Sequence, residues 1–317
     1  MNKKITKALA VLILIFLIPH PGTSGEELDN QMQEFPDVPA GNINYVAIQS
    51  LKDNGIIQGY SDGNFKPDKE ISRAEALKII TLTTWRIVEE ELNSVILPSE
   101  PIFNDLEEDA WYMNYIFIAK SKEIINGYDD GSFRPDENIN LAETLKIYLE
   151  CLNVKKYPDP SNLDFADVNN EGWYAKYVAY AHSLETLNIN ANNEIFPDKK
   201  LTRGDFAEIA YRIQNAHNNG YKFGKATFYG KAVHGNNTAS GEIFDMYSFT
   251  AAHKTLPFGT IVEVKSLSTG KTVEVKITDR GPYGPGRVLD LSSSAFEQLA
   301  SLGTGIINVQ YRIVDSI

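Results

Sequence analysis

An aspartate that closes a strand-like alternation and opens a glycine-proline turn is well placed to meet a ligand. Val273-Glu274-Val275-Lys276-Ile277 alternates as a strand does, and Thr278-Asp279-Arg280-Gly281-Pro282-Tyr283 follows directly. Asp279 should therefore stand at a strand end, beside a groove. A carboxyl part-buried in such a place keeps its proton to higher pH and can act as a general acid. The alternative is that Asp279 caps the turn or pairs with Arg280, and local chemistry leaves both open. Two more polar loops lie upstream, from His234 to Asp245 and from Thr250 to Thr260. His234, Asp245 and His253 could in principle be metal ligands, but their spacing matches no zinc motif. No metal and no other cofactor is expected.

These loops need a scaffold, and the intervening segments supply one. Ile261-Val262-Glu263-Val264-Lys265 pairs naturally with Val273 to Ile277 through a Ser268-Thr269-Gly270-Lys271 hairpin. Lys225 to Tyr229, Val288 to Leu291 and Ile306 to Val314 give further strands. Ser294 and Glu297 read as a capping box, opening a short helix that Gly303 ends. So many short strands within residues 222–317 predict a small closed barrel. The polar stretch 214–221 before it reads as a linker.

Upstream of residue 214 the pattern is helical and repeats three times. Each copy opens on an aromatic-x-Asp-hydrophobic element: Phe35 to Val38, Phe103 to Leu106 and Phe165 to Val168. A helix-period stretch follows, then a turn: Gly59 to Asp68, Gly127 to Asp136, and an eroded Asn193 to Asp198. A second helix begins at Ser72-Arg73-Ala74-Glu75, Asn140-Leu141-Ala142-Glu143 or Thr202-Arg203-Gly204-Asp205. Ser, Asn or Thr with an acid three residues on is a capping box. The Asp-rich turns lack the alternating ligands and final Glu of a calcium loop. Capping leaves Arg73 and Arg203 unexplained, because a cation is unfavourable at the positive end of a helix. Each needs an anionic partner, in a neighbouring repeat or in a ligand.

The repeats resemble S-layer homology repeats, with units over 35–98, 99–160 and 161–213. The resemblance implies one α-helical, pseudo-threefold domain that binds pyruvylated secondary cell-wall polysaccharide in grooves between repeats. It implies that Arg73 and Arg203 lie in those grooves, with Trp111 and Trp173 stacking on sugars. Leu141 stands where the second copy should have its arginine, so that groove should be weak or dead.

Residues 223–314 resemble the rare lipoprotein A family of six-stranded, all-β double-psi barrels. The resemblance is carried by Thr238 to Asp245, Thr250 to Thr260, Asp279 to Tyr283 and Arg287 to Ser292. It implies a lytic transglycosylase acting on peptidoglycan glycan strands, at MurNAc–GlcNAc bonds, with a preference for peptide-poor glycan. Asp279 would be catalytic, with Glu242 and His253 in the same groove and Tyr229, Thr238, Arg280 and Tyr283 touching substrate. Glu242 could serve as a second carboxylate. His253 could orient Asp279, or only hold its own loop. Phe228 replaces the family's usual tryptophan. The competing readings are an expansin-like wall-loosening module, a metallopeptidase and a purely structural surface-layer protein.

Composition and the N-terminus fit an exported wall protein. Lys3, Lys4 and Lys7, the apolar run Ala8 to Ile18 and the small residues Gly22 to Gly25 read as a signal peptide over 1–25. Its 11 apolar residues are too few to span a bilayer, so no membrane span is expected after cleavage. Cys151 is the only cysteine, which excludes an internal disulfide, and it lies too far from the signal to carry a lipid. The whole chain carries −12, while residues 222–317 hold 10 Lys/Arg and 8 Asp/Glu, so the net acidity lies before residue 222. That argues against nucleic acid as a partner. A secreted protein held at the cell wall or cell surface is the expectation.

Overall fold

The computed structural model describes residues 34–315 apart from 86–91 and 93; the expected signal peptide lies outside the described residues. Glu34 onward forms one compact unit.

The repeat region is helical, and its motif residues explain themselves locally. Asp37 accepts the N–H groups of Phe65 and Lys66, 2.9 and 2.6 Å away. Asp105 does the same for Phe133 and Arg134, and Asp167 for Ile195 and Phe196. The second residue of each pair has a positive φ, 60°, 60° and 56°. The aspartate thus fixes a turn that an ordinary side chain would resist. Phe35 packs on Phe65 and Phe103 on Phe133.

Helices α1 (Tyr45–Asp53) and α2 (Arg73–Trp85) belong to the first copy, α3 (Met113–Ser121) and α4 (Leu141–Cys151) to the second. The third copy supplies α5 (Ala175–Ser183) and α6 (Arg203–Asn219). The expected capping boxes form in full at Ser72/Glu75 and Asn140/Glu143, while Thr202 accepts from the Asp205 N–H. The three copies close on one another through a ring of backbone hydrogen bonds. Ile139 donates to Ile71, Leu201 to Ile139, and Ile71 to Leu201. One apolar core runs through all three copies. Cys151 is buried in it, and burial pushes its thiol up to about 12.

The barrel strands are β1 (Lys222–Tyr229), β2 (Thr250–Ala252), β3 (Ile261–Ser266), β4 (Thr272–Asp279), β5 (Arg287–Ser292) and β6 (Ile307–Asp315). They close in the order β1-β5-β2-β4-β3-β6. β1 runs parallel to β5 and β2 parallel to β4, the other pairs antiparallel. This six-stranded closure, with its two parallel pairs, matches what the resemblance to a double-psi barrel implied. Helix α7 (Ser293–Leu299) is capped by Ser292, not Ser294, and ends before Gly303.

The linker expected over 214–221 is not one. α6 continues to Asn219, Gly220 ends it with a left-handed cap at φ 67°, and β1 starts at Lys222. The polar residues there are one face of a helix whose other face is buried. Tyr211 and Ala216 pack with Val46, Ala47, Phe223 and Leu267 in a cluster shared by repeats and barrel. Hydrogen bonds cross the same boundary: Tyr211 to Gln310, Gly41 to Ser268 and Val46 to Leu267. Among the described residues no helix is long and apolar enough to cross a membrane.

Candidate functional site

Asp279 ends β4. The short strand β2 lies between β4 and β5, and its Ala252 pairs with Asp279 on one side and Asp290 on the other. One carboxylate oxygen of Asp279, Oδ1, accepts the N–H groups of Ala239 and Arg280 at 2.9 and 2.8 Å. Oδ2 has no hydrogen-bond donor among the described residues. The Ala239 loop is tied down by Ser240 N–H to the Thr278 carbonyl. It is tightened by the Thr238 hydroxyl, which bonds Ser240 and the Glu242 carbonyl. Thr238 is buried and builds this loop.

Asp290 was part of a recognisable motif but carried no expected role. Its carboxyl is the one that burial pushes up from the usual carboxylate range, with the nearby Asp279 charge adding to the effect. A hydrogen bond from the Thr227 hydroxyl works the other way. Tyr229 lies close to both acids. Burial first, then Asp279 and Asp290, raises its pKa, and its ring packs on Phe244 at 4.4 Å. The available signal was an acid inside the apolar run Val288-Leu289-Asp290-Leu291.

The other expected site residues divide. Glu242 is exposed at the rim and paired with Lys276 at 2.8 Å, so its carboxylate is tied to a cation beside the Asp279 loop. Arg280 lies over the Phe258 ring at 3.7 Å and donates to the His253 carbonyl. Tyr283 is 82% exposed and available for stacking.

The His253 ring is buried, with both nitrogens engaged. Nδ1 accepts the Thr255 and Leu256 N–H groups, and Nε2 meets the Tyr311 hydroxyl at 3.1 Å. Its bond to Asp279 is through the backbone, His253 N–H to the Asp279 carbonyl. Burial pushes the imidazole pKa down to about 4, so the ring is neutral near pH 7. Among the described residues no group of three or more His, Cys, Asp or Glu is placed to hold a metal ion.

In the repeat region the two arginines find the partner that helix electrostatics demands. Arg73 pairs with Glu143 of the second repeat and Arg203 with Glu75 of the first, each at 3.1 Å. Each also donates to a carbonyl, Phe133 or Phe65, and lies over two aromatic rings. Each pair lines a groove. One of about 500 Å³ includes Tyr60, Glu75, Lys78, Trp111 and Arg203. The other, about 250 Å³, has Tyr128, Glu143, Lys146, Trp173 and Arg73. The tryptophans are more than half exposed, with Lys78 and Lys146 over their rings.

Comparison with known proteins finds matches over both parts of the chain. Residues 221–311 match the family model described as lytic transglycolase, and residues 34–77, 102–145 and 164–207 match the S-layer homology domain. The chain joins three S-layer homology repeats to a lytic transglycolase barrel. The endolytic peptidoglycan transglycosylase RlpA of Vibrio cholerae is 43% identical over 105 residues, 33% of this chain and 40% of that one. The probable endolytic peptidoglycan transglycosylase RlpA of Synechocystis sp. is 33% identical over 205 residues, 56% and 63% of the two chains. The surface-layer 125 kDa protein of Lysinibacillus sphaericus is 32% identical over 174 residues, 53% and 14%. The chain thus spans less than two thirds of each of these relatives. The S-layer homology repeats and these relatives make it a cell-surface or cell-wall associated protein.

The third inter-repeat groove differs from the other two. There the lining is Ile43, Leu141, Asn190, Asp205 and Glu208, with Lys225 and Asn308 contributed by the barrel. Leu141 takes the arginine's place, as the sequence indicated. Ile43, six residues after Asp37 as Trp111 is after Asp105, takes the tryptophan's. Lys78 and Lys146 were missed as groove residues, although each follows its capping-box glutamate by three, one helical turn.

Proposed function

We propose that this protein is a wall-anchored lytic transglycosylase that cleaves MurNAc–GlcNAc bonds of peptide-poor peptidoglycan glycan. The observation that carries the reading is Asp279: Oδ1 is fixed by two backbone N–H groups and Oδ2 meets no donor among the described residues. A carboxyl so held can deliver a proton along one direction. Asp279, protonated, donates to the glycosidic oxygen as that bond breaks and positive charge develops at C1. The C6 hydroxyl of the same sugar attacks C1, and the Asp279 carboxylate takes up its proton. A 1,6-anhydro end forms, a new hydroxyl end is released, no water is consumed and the acid is regenerated. Asp290, held toward its protonated form by burial, is the second carboxyl of the site in place of Glu242. Tyr283, exposed at the surface, gives the sugar aromatic contact.

The two arginine grooves serve as the anchor. Each offers a lysine, a partly neutralised arginine and an exposed tryptophan, which suits an anionic saccharide such as a pyruvylated secondary wall polysaccharide. The repeats then form a pseudo-threefold domain with two working grooves, on a protein secreted after removal of residues 1–25.

The test is mass spectrometry of purified, peptide-free glycan after incubation with the full chain. Release of 1,6-anhydro ends supports the reading. Reducing ends alone would make the protein a hydrolase. Binding without any new chain ends would make it a wall-loosening module.

A further inference from the structure

The barrel's active-site loop is held from outside the barrel. His253 is joined by its backbone to the reacting strand end: its N–H donates to the Asp279 carbonyl, and its carbonyl accepts from Arg280. Its ring fixes the turn that follows, through Nδ1 and the Thr255 and Leu256 N–H groups. An Nδ1 that accepts two N–H bonds carries no proton, so the neutral ring has its proton on Nε2. That N–H must donate to the Tyr311 oxygen, 3.1 Å away. The Tyr311 hydroxyl proton then needs an acceptor of its own, and Glu185 provides it at 2.9 Å. Glu185 belongs to the third S-layer homology repeat, just beyond α5.

Glu185 takes the left-handed position after the helix, at φ 58°, as Gly55 does at φ 71° in the first repeat and Glu123 at φ 60° in the second. The position itself favours a glycine, so a glycine there leaves the repeat its turn. The Glu185 carboxylate reaches across to the barrel, one oxygen to Tyr311 and the other to Lys222 at 2.9 Å.

We propose that Glu185 is a positioning residue for the barrel's reaction, acting through Tyr311 and His253 to fix the loop that carries Asp279 and Arg280. The anchor domain thereby completes the site it carries. This rests on the lytic transglycosylase reading.

The experiment uses the full chain with four substitutions, measuring kcat and KM on peptide-free glycan and the ¹⁵N resonances of the His253 ring. Glu185→Gly removes the acceptor while giving the repeat the residue its first copy already has. Tyr311→Phe removes the middle of the chain. Both should lower kcat about ten-fold, as slight misplacement of reacting groups does. KM should hold within about two-fold, since no substrate contact is touched. Both should also shift the ring resonances away from the pure Nε2–H tautomer. Glu185→Gln keeps an oxygen that accepts the Tyr311 proton and should retain wild-type tautomer and most of kcat. Lys222→Met removes only the ion pair and should change neither.

Wild-type kcat and an unchanged tautomer in Glu185→Gly would overturn the proposal. So would an equal loss of kcat in Lys222→Met, which would make Glu185 a docking clamp alone. If the wild-type chain releases no glycan ends, the proposed function fails. The ring resonances then decide whether Glu185 sets the loop, and an unmoved tautomer in Glu185→Gly refutes it.

Discussion

Asp279 and Asp290 stand on either side of Ala252, which pairs with both across two strand boundaries. Adjacent strands are about 4.8 Å apart, so the two backbones are separated by roughly 10 Å. The three-residue strand β2 is thus what brings together two acids from strands that do not pair with each other. Their environments differ. Asp279 sits at a strand end, held by loop N–H groups, while Asp290 lies within β5, half-buried beside Thr227 and raised in pKa by that burial. Two carboxyls in unlike surroundings are a common basis for dividing acid and base work.

Replacing either acid by its amide should separate their roles. Asp279→Asn keeps an oxygen for the Ala239 and Arg280 N–H groups but cannot transfer a proton. Glycan cleavage should fall about 10²–10⁴-fold with the fold intact by circular dichroism. Asp290→Asn removes a half-buried ionisable group and should also slow cleavage, by a smaller factor. Full activity in Asp279→Asn would dismiss it as the proton donor.

The sequence exposed the three copies, the barrel and the place of Asp279 at a strand end, because each is written as a local pattern of turn, cap or alternation. What it hid depended on partners far along the chain. The need of Arg73 and Arg203 for an anion was visible, but Glu143 and Glu75 lie in other repeats. Their capping-box role accounted for them locally. β2 is too short to show a periodicity. The stretch 214–221 looked like a linker because its polar residues were counted without asking which face of a helix they line. His253 belonged to a recognised motif, yet the acceptor behind its ring comes from residue 185.

Anchoring should separate from stability in the grooves. Changing Arg73 or Arg203 to Ala takes the buried arginine from a mostly buried glutamate. That glutamate keeps only its hydrogen bonds and, at Glu143, Lys200 at 4.0 Å. The cost should therefore stay below the roughly 3 kcal/mol of a fully unpaired charge. Thermal denaturation should show that loss. Trp111 and Trp173 are more than half exposed, so their replacement by Ala should cost about 1 kcal/mol or less. Co-sedimentation with isolated walls should nonetheless fail in the Trp111→Ala, Trp173→Ala double variant. Undiminished sedimentation would remove these grooves from the anchoring role.

Acid should destabilise the fold through His253. Its pKa is about 4 in the folded protein against 6.5 unperturbed, with burial the main cause. Between those values the unfolded chain binds the extra proton, so stability is full above pH 6.5 and falls toward pH 4. His253→Gln, though less stable at neutral pH, should show a shallower fall in melting temperature across that window. Parallel curves for the two proteins would mean that other groups set the acid response.

The repeats and the barrel should unfold as one unit until their shared cluster is broken. Leu267 is fully buried, and it lies in the turn between β3 and β4, outside the barrel's own core. Its carbonyl accepts the Val46 N–H, and the side chain packs in the cluster with Val46, Ala47, Tyr211 and Phe223. Burying a leucine contributes about 1.5–3 kcal/mol, and a glutamate there would add the cost of an unpaired charge. Neither core would otherwise be touched. Calorimetry of the wild type should therefore give a single transition, with measured and van't Hoff enthalpies in agreement. Leu267→Glu should split it in two, the barrel melting apart from the repeats. The same variant should loosen the contact of Glu185 with Tyr311 and lower glycan cleavage while wall binding persists, because the arginine grooves lie wholly within the repeats. A Leu267→Glu protein that still melts in one transition would show that Tyr211–Gln310 and Glu185–Lys222 are enough to hold the two parts together.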